Sequence, residues 1–206
     1  MTDVFHITHI GNLAAIVAHG GLVSDSRLSQ LGLAPIGIAH LHIKQRRAST
    51  TVPPPMGGTL ADYVPFYFCP RSPMLYANHG GGVVGAQAQA RILHLVSEAE
   101  AIDAAGLPFC FSDAHAVTQP TGFHDNLASL SALNWPYVNA RDWRDTPDHP
   151  DRKRRKQAEF LVRSELPWRL VSRIGVMDAA TATAVTGLLV GARHVPQVLV
   201  RPDWYY

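Results

Sequence analysis

The residues of this chain best placed to do chemistry are a single strand glutamate and the cations in front of it. Lys156-Gln157-Ala158-Glu159-Phe160-Leu161-Val162-Arg163 has a strand pattern that is apolar except for one carboxylate. With a side-chain period of two, Ala158, Phe160 and Val162 share one face and Glu159, Leu161 and Arg163 the other, so the spacing predicts that Glu159 faces away from the core. A strand glutamate of this kind ordinarily makes a rim ion pair. Projected from a rigid strand into a cleft, it would instead orient a sugar hydroxyl or stabilise a developing cation. Immediately upstream stand five consecutive cations, Arg152-Lys153-Arg154-Arg155-Lys156, preceded by Trp135, Tyr137 and Trp143 in an otherwise irregular stretch. A charge run is ordinarily a solvated surface. Next to a candidate active strand, cations for phosphates and rings for bases make the combination expected of a single-stranded nucleic-acid site.

The elements that must position these groups follow from composition and pattern. A chain of 206 residues with 47% hydrophobic content fits one globular unit, residues 1–206, with its own core. A formal charge of +2 with 17% charged residues excludes a polycationic tail, so any nucleic-acid site must arise by local clustering. Cys69 and Cys110 sit in separate apolar runs without metal-ligand spacing, and the eleven histidines are scattered, so no metal is expected and both thiols are expected buried and free. No apolar run reaches the roughly 20 residues of a membrane helix, and the N-terminus lacks a charged leader, which predicts a soluble cytoplasmic protein.

Along the chain, Val4–His9 reads as a strand running into a helix over Asn12–His19 that Gly20-Gly21 stops. Residues 24–39 read as a loop, 40–47 as a helix, and Val52–Gly58 as a semi-rigid proline turn. Tyr63–Cys69 is an aromatic strand, Ser72-Pro73 opens a helix, and Gly80-Gly81-Gly82 is a flexible connection without a phosphate-loop pattern. A strand over Ala90–Val96 is followed by Ser97-Glu98-Ala99-Glu100, which has the form of a capping box. Phe109–Asp113 is a strand and Asn126–Leu133 a helix. A strand around Arg169–Met177, a helix over Ala179–Val190 and a strand over Gln197–Arg201 close the chain.

Several of these segments together carry a resemblance. Phe5-His6-Ile7-Thr8-His9, Arg46-Arg47 before a proline turn ending Gly57-Gly58, the run from Asp62 to Leu75, Lys156 to Val162, and the final Asp203-Trp204-Tyr205-Tyr206 closely resemble the DarT family, the DNA ADP-ribosyltransferase toxins of bacterial toxin–antitoxin systems. The resemblance covers essentially the whole chain. It implies an α+β ADP-ribosyltransferase fold, a split and mainly antiparallel β core with peripheral helices, acting as a monomer on NAD and single-stranded DNA. On that basis Arg47 and Glu159 are the catalytic pair. His6, Ile7 and Thr8 hold the nicotinamide end, with Asn12, Arg47, Tyr67 and Met74 also on the NAD side, and the segment from about Ser26 to Gln45 covers the dinucleotide. His115 and the region leading to the Glu159 strand, including Arg152, Lys153, Arg154, Arg155 and Lys156, are implied to meet DNA. The Arg and Glu motifs resemble the branch that modifies thymidine. The implied partner is the macrodomain antitoxin DarG, which removes the modification.

The chemistry agrees with those residue types. Cleaving the nicotinamide–ribose bond passes through an oxocarbenium-like state that a carboxylate disperses. Nicotinamide leaves neutral, so no strong acid is called for. A thymine N3–H must lose its proton before attack, and a guanidinium stabilises the resulting anion. The alternatives are guanosine as acceptor, an NAD-dependent RNA 2′-phosphotransferase on a related fold, and a non-catalytic NAD or nucleic-acid binding module.

Overall fold

β1 (Asp3–His9) lies at the centre of an eight-stranded sheet whose order is β10-β9-β4-β1-β3-β7-β5-β6. The other members are β3 (Tyr63–Tyr67), β4 (Ile92–Glu98), β5 (Phe109–His115), β6 (Phe123–His124), β7 (Ala158–Arg163), β9 (Arg173–Val176) and β10 (Gln197–Val200). A small second sheet pairs β2 (Gly21–Val23) with β8 (Glu165–Pro167). The structure, a computed structural model, describes residues 1–80 and 89–206, so Gly81 and Gly82 of the expected glycine connection lie outside the described residues. Among those described, only β9 and β10 pair in parallel.

The helices are α1 (Leu13–His19), α2 (Asp25–Gln30), α3 (Leu41–Ser49), α4 (Pro73–His79), α5 (Ala99–Ala104), α6 (Trp135–Val138), α7 (Arg152–Arg155) and α8 (Ala179–Leu188). Local chemistry accounts for their ends. Gly20 closes α1 with a left-handed φ of 91°, and the Ser72 hydroxyl accepts from the Leu75 N–H at the start of α4. Ser24 caps α2, a helix inside the stretch expected to be loop. The capping box expected at Ser97–Glu100 does not form. The ladder Val4–Ser97 and Asp3–Glu98 carries β4 through Glu98, leaving Ser97 inside the sheet, while the Glu100 carboxylate turns to the Thr2 N–H at 2.7 Å. The stretch 127–132 forms 3₁₀ turns, with Asn126 as cap.

Two features of the sheet create a site. β1 and β4 are paired over their whole length, but β1 and β3 share only the pairing Phe5–Tyr67, so the sheet splits between them. The two faces also differ. One carries the main core, including Val4, Leu95, Phe66, Phe160 and Val162. The other carries two separate clusters, one around Phe5, Ile7, Ile92 and Trp204, the other around Leu60, Tyr63, Cys110 and Leu161. Tyr67 and Glu159 pair across β3 and β7 on this divided face. The expectation that Glu159 faces away from any core is corrected here: the residue is 4% exposed, because the face it shares with Leu161 has its own cluster and is covered by α3.

Candidate active site

Glu159 is held by a defect in the sheet. Between Phe111 and His115 the register of β5 against β7 shifts, so that β5 advances four residues while β7 advances two. The bulge takes the Glu159 N–H out of the ladder, and the Ser112 hydroxyl accepts it at 3.2 Å while donating to the Ala114 carbonyl at 2.7 Å. Beyond the bulge, the Ala116 N–H donates to Glu159 Oε1 at 3.4 Å. That Ser112 and the Ala116 amide hold Glu159 was not legible in the sequence, since neither a bulge nor a backbone donor leaves a residue-type signature.

Arg47 approaches from α3. Its Nη1 donates to Glu159 Oε2 at 2.6 Å and its Nη2 to the Leu60 carbonyl at 3.4 Å, with both residues buried. Burial alone would pull the guanidinium pKa down, but the Glu159 carboxylate outweighs it and holds the pKa above its ordinary value. A pair this short and this desolvated is a charge-assisted bond. Tyr67, opposite Glu159, has its phenol pushed up by burial, with the adjacent carboxylate adding to the effect. His115 stands at the rim, its Nδ1 accepting from the Val117 N–H at 3.3 Å and lying 4.0 Å from Glu159 Oε1. Burial lowers its pKa against the pull of Glu159, so the imidazole is neutral at pH 7.

On the other side of the split, His6 Nδ1–H donates to the Pro65 carbonyl at 2.9 Å. The imidazole thus spans the gap where a β1–β3 ladder would continue. Burial lowers its pKa against the Pro65 bond and Asp25, which fixes Nδ1 as the donor and leaves Nε2 unprotonated. The Ile7 side chain belongs to a core cluster, so only its backbone can face the split. Asn12 donates to Thr8 Oγ1 at 3.1 Å and forms a two-point pair with the backbone of Ile36, at 3.0 and 2.8 Å. Asn78 donates to the Ile38 carbonyl at 2.9 Å. Two asparagines therefore tie down the segment after α2. Met74 packs half-buried against the cluster that includes Ile38.

The basic run does not form a row of five free cations. Arg154 makes a two-point pair with Asp151 and also donates to the Pro120 carbonyl. Arg155 meets Asp151 at 2.9 Å and Asp113 at 3.5 Å. Lys156 is 2% exposed, with Nζ donating to the Val138 carbonyl at 2.6 Å, so it is unavailable to a phosphate. Lys153 is exposed, while Arg152 is half-buried, donating to the Asp142 carbonyl at 3.3 Å and lying over the Tyr137 ring, with no carboxylate partner for either side chain among the described residues. The upstream aromatics are also engaged: Trp135 packs edge-on against Phe68, and Trp143 donates to the Tyr206 hydroxyl. No group of three or more His, Cys, Asp or Glu side chains is arranged to hold a metal among the described residues. Cys69 and Cys110 are buried free thiols.

Comparison with known proteins gives the family and the fold. The family model for DarT, ssDNA thymidine ADP-ribosyltransferase, matches residues 5–206. A DNA ADP-ribosyl transferase of Thermus sp. (strain 2.9) is 44% identical over 208 residues, covering 100% of this chain and 96% of the relative. Another from Escherichia coli O127:H6 is 34% identical, covering 98% of this chain and 93% of the relative. Among solved structures, Thermus sp. 2.9 DarT in complex with ADP-ribosylated ssDNA superposes with a TM-score of 0.91 at 42% identity, covering 100% of this chain and 96% of that one. The same protein in complex with NAD+ gives 0.86 at 41% identity, covering 100% and 98%. The split sheet with its buried arginine–glutamate pair is an ADP-ribosyltransferase fold. The chain belongs to the DarT family of DNA ADP-ribosyltransferases.

Proposed function

We propose that this protein transfers the ADP-ribosyl group of NAD+ to the N3 of a thymine in single-stranded DNA, releasing nicotinamide. The observation that carries the reading is the buried 2.6 Å pair of Arg47 and Glu159 at a sheet split, in a chain of this family. Beyond Phe5 the edge of β1 facing the split has no strand partner among the described residues, so its backbone around His6, Ile7 and Thr8 can pair with a carboxamide. Tyr67 pairs with Phe5 at the end of that edge, and Met74 and Ile38 pack in the cluster that contains Ile7.

In the reaction the ribose C1′–nicotinamide bond breaks and a C1′–N3 bond to thymine forms. Glu159 orients the ribose hydroxyls and disperses the positive charge that develops at C1′. Arg47, charged throughout, stabilises the thymine anion and is no proton acceptor. The N3 proton passes to Glu159 or to water. Base pairing would bury N3, so the substrate is single-stranded. Arg152 and Lys153, the members of the run whose side chains are neither buried nor paired with a carboxylate among the described residues, are the ones left to meet the backbone of the strand.

We read residues 1–206 as one catalytic domain acting as a monomer, since both halves of the catalytic pair come from one chain, and we place its action in the cytoplasm, where its DNA substrate lies. An enzyme that marks DNA bases endangers its own cell, so the reading includes a toxin role and a macrodomain antitoxin that removes the mark. Incubation with NAD+ and oligonucleotides of varied base content tests the chemistry. The expected result is a mass gain of one ADP-ribose on thymine-containing strands only. Modification of a thymine-free, guanine-containing strand would transfer the assignment to guanosine, and modification of neither would refute it.

A further inference from the structure

Neighbouring arginines on α3 have opposite surroundings. Residues 46 and 47 are about 100° apart around the helix, so when Arg47 turns inward to Glu159 its neighbour must face out. Arg46 is exposed, and its Nη2 donates to the Val117 carbonyl at 3.1 Å. Val117 is the residue after Ala116, whose N–H meets Glu159, and its own N–H meets His115 Nδ1. Arg46 therefore stands at the rim on the α3 side, one residue from the backbone that touches the catalytic carboxylate.

Apart from Arg152 and Lys153 on α7, the other cations named above are spent. Arg47 is paired with Glu159, Lys44 with Asp25 at 3.0 Å, Arg154 and Arg155 with Asp151, and Lys156 is buried. Arg46 has no carboxylate partner among the described residues, and one carbonyl bond occupies one of a guanidinium's five N–H donors. An exposed, unpaired guanidinium fixed by a backbone carbonyl is a preorganised phosphate ligand. Its field also reaches inward, adding to the lowering of the His115 pKa that burial begins. A strand whose base reaches Glu159 must carry the phosphates flanking that base across this rim.

We infer that Arg46 binds a backbone phosphate of the DNA strand next to the target base. The inference rests on the DNA-transfer reading above. The shared chemistry, an anionic phosphodiester, also occurs in the NAD+ pyrophosphate, and the test separates the two.

The experiment compares wild type with Arg46→Gln and Arg46→Lys, measuring KM for a single-stranded thymine-containing oligonucleotide, KM for NAD+, and the dependence of oligonucleotide binding on salt. Glutamine keeps a donor for the Val117 carbonyl without the charge. The expected result for Arg46→Gln is a rise of about tenfold in the oligonucleotide KM, with the NAD+ KM within about twofold of wild type. The log–log salt slope should fall by about 0.7, the value for one phosphate contact on a single strand. Arg46→Lys should recover the slope and part of the affinity. A raised KM for NAD+ with unaltered oligonucleotide binding would assign the guanidinium to the pyrophosphate and overturn the inference. Wild-type behaviour of Arg46→Gln in all three measurements would reduce Arg46 to a brace for Val117 and overturn it as well. Failure of wild type itself to modify any oligonucleotide would instead refute the underlying reading.

Discussion

The two small clusters on the divided face of the sheet each bury a titratable residue, and they do so to opposite ends. In the half built from β1, β4 and β9, His94 is fully buried, its Nε2–H donating to the Pro70 carbonyl and its Nδ1 3.2 Å from the Tyr205 hydroxyl. Burial pushes its pKa down to about 4, against the Pro70 bond, so it is neutral and surrounded by neutral partners. In the half built from β3, β7 and β5, Glu159 is just as enclosed, yet it faces a permanent charge, a backbone N–H beyond a bulge and a histidine at the rim. A buried group with only neutral partners holds the fold together. A buried charge pair that borders a split in the sheet is costly to build and is available for electrostatic work on a substrate.

The largest expected effect separates the two halves directly. Glu159→Gln should lower oligonucleotide modification by about 10³-fold while the chain stays folded, because the amide keeps the volume and a hydrogen-bond acceptor but not the charge. Glu159→Ala is the harsher substitution, since it strands a buried guanidinium at a cost of about 3–5 kcal/mol. Transfer at the wild-type rate in Glu159→Gln, measured by mass spectrometry of the oligonucleotide, would remove Glu159 from the chemistry.

Arg47→Lys should cost about 10²-fold in kcat, because a point charge cannot meet both Glu159 and the Leu60 carbonyl as the planar fork does. Near-normal turnover would show that charge alone suffices.

The histidine half should respond in stability. Unfolded His94 takes up a proton below pH 6.5, whereas folded His94 does so only below about 4. The unfolded state therefore binds more protons in that window, and stability falls as pH falls through it, by about 3 kcal/mol from this group before levelling off. His94→Leu should remove that component from a pH series of chemical denaturation curves while costing about 2–4 kcal/mol at pH 7, since the Pro70 carbonyl and Tyr205 lose a partner. An identical acid dependence in the variant would show that other groups carry it.

The smallest effect belongs to the basic run. Arg152→Gln with Lys153→Gln should weaken oligonucleotide binding a few-fold and reduce the salt slope by about 1.4 in total, whereas Lys156→Met should leave the slope unchanged and lower only stability. A slope change in Lys156→Met would mean that Nζ leaves Val138 for DNA.

Much of the fold was legible in the chain because local rules govern it. Period-two runs marked the strands, Gly20 and Ser72 marked helix ends, and rare residue combinations around His6, Arg47, Tyr67 and Glu159 carried the family. What local rules could not supply was pairing. Ser97 and Glu98 satisfy a capping pattern, but a seven-residue ladder with β1 outweighs one cap and keeps them in the sheet. Glu159 alternates with core residues in the manner of a surface strand, and only the arrival of α3 and a second cluster on its face buries it. Five contiguous cations look alike in sequence. Which of them are free depends on where Asp113, Asp151 and the Val138 carbonyl come to lie, and those positions are set by contacts between residues up to 42 apart. Residue types and short-range spacing thus determined the elements and the family. Register, bulge and charge pairing, which depend on groups brought together only by the folded sheet, decided the geometry of the site.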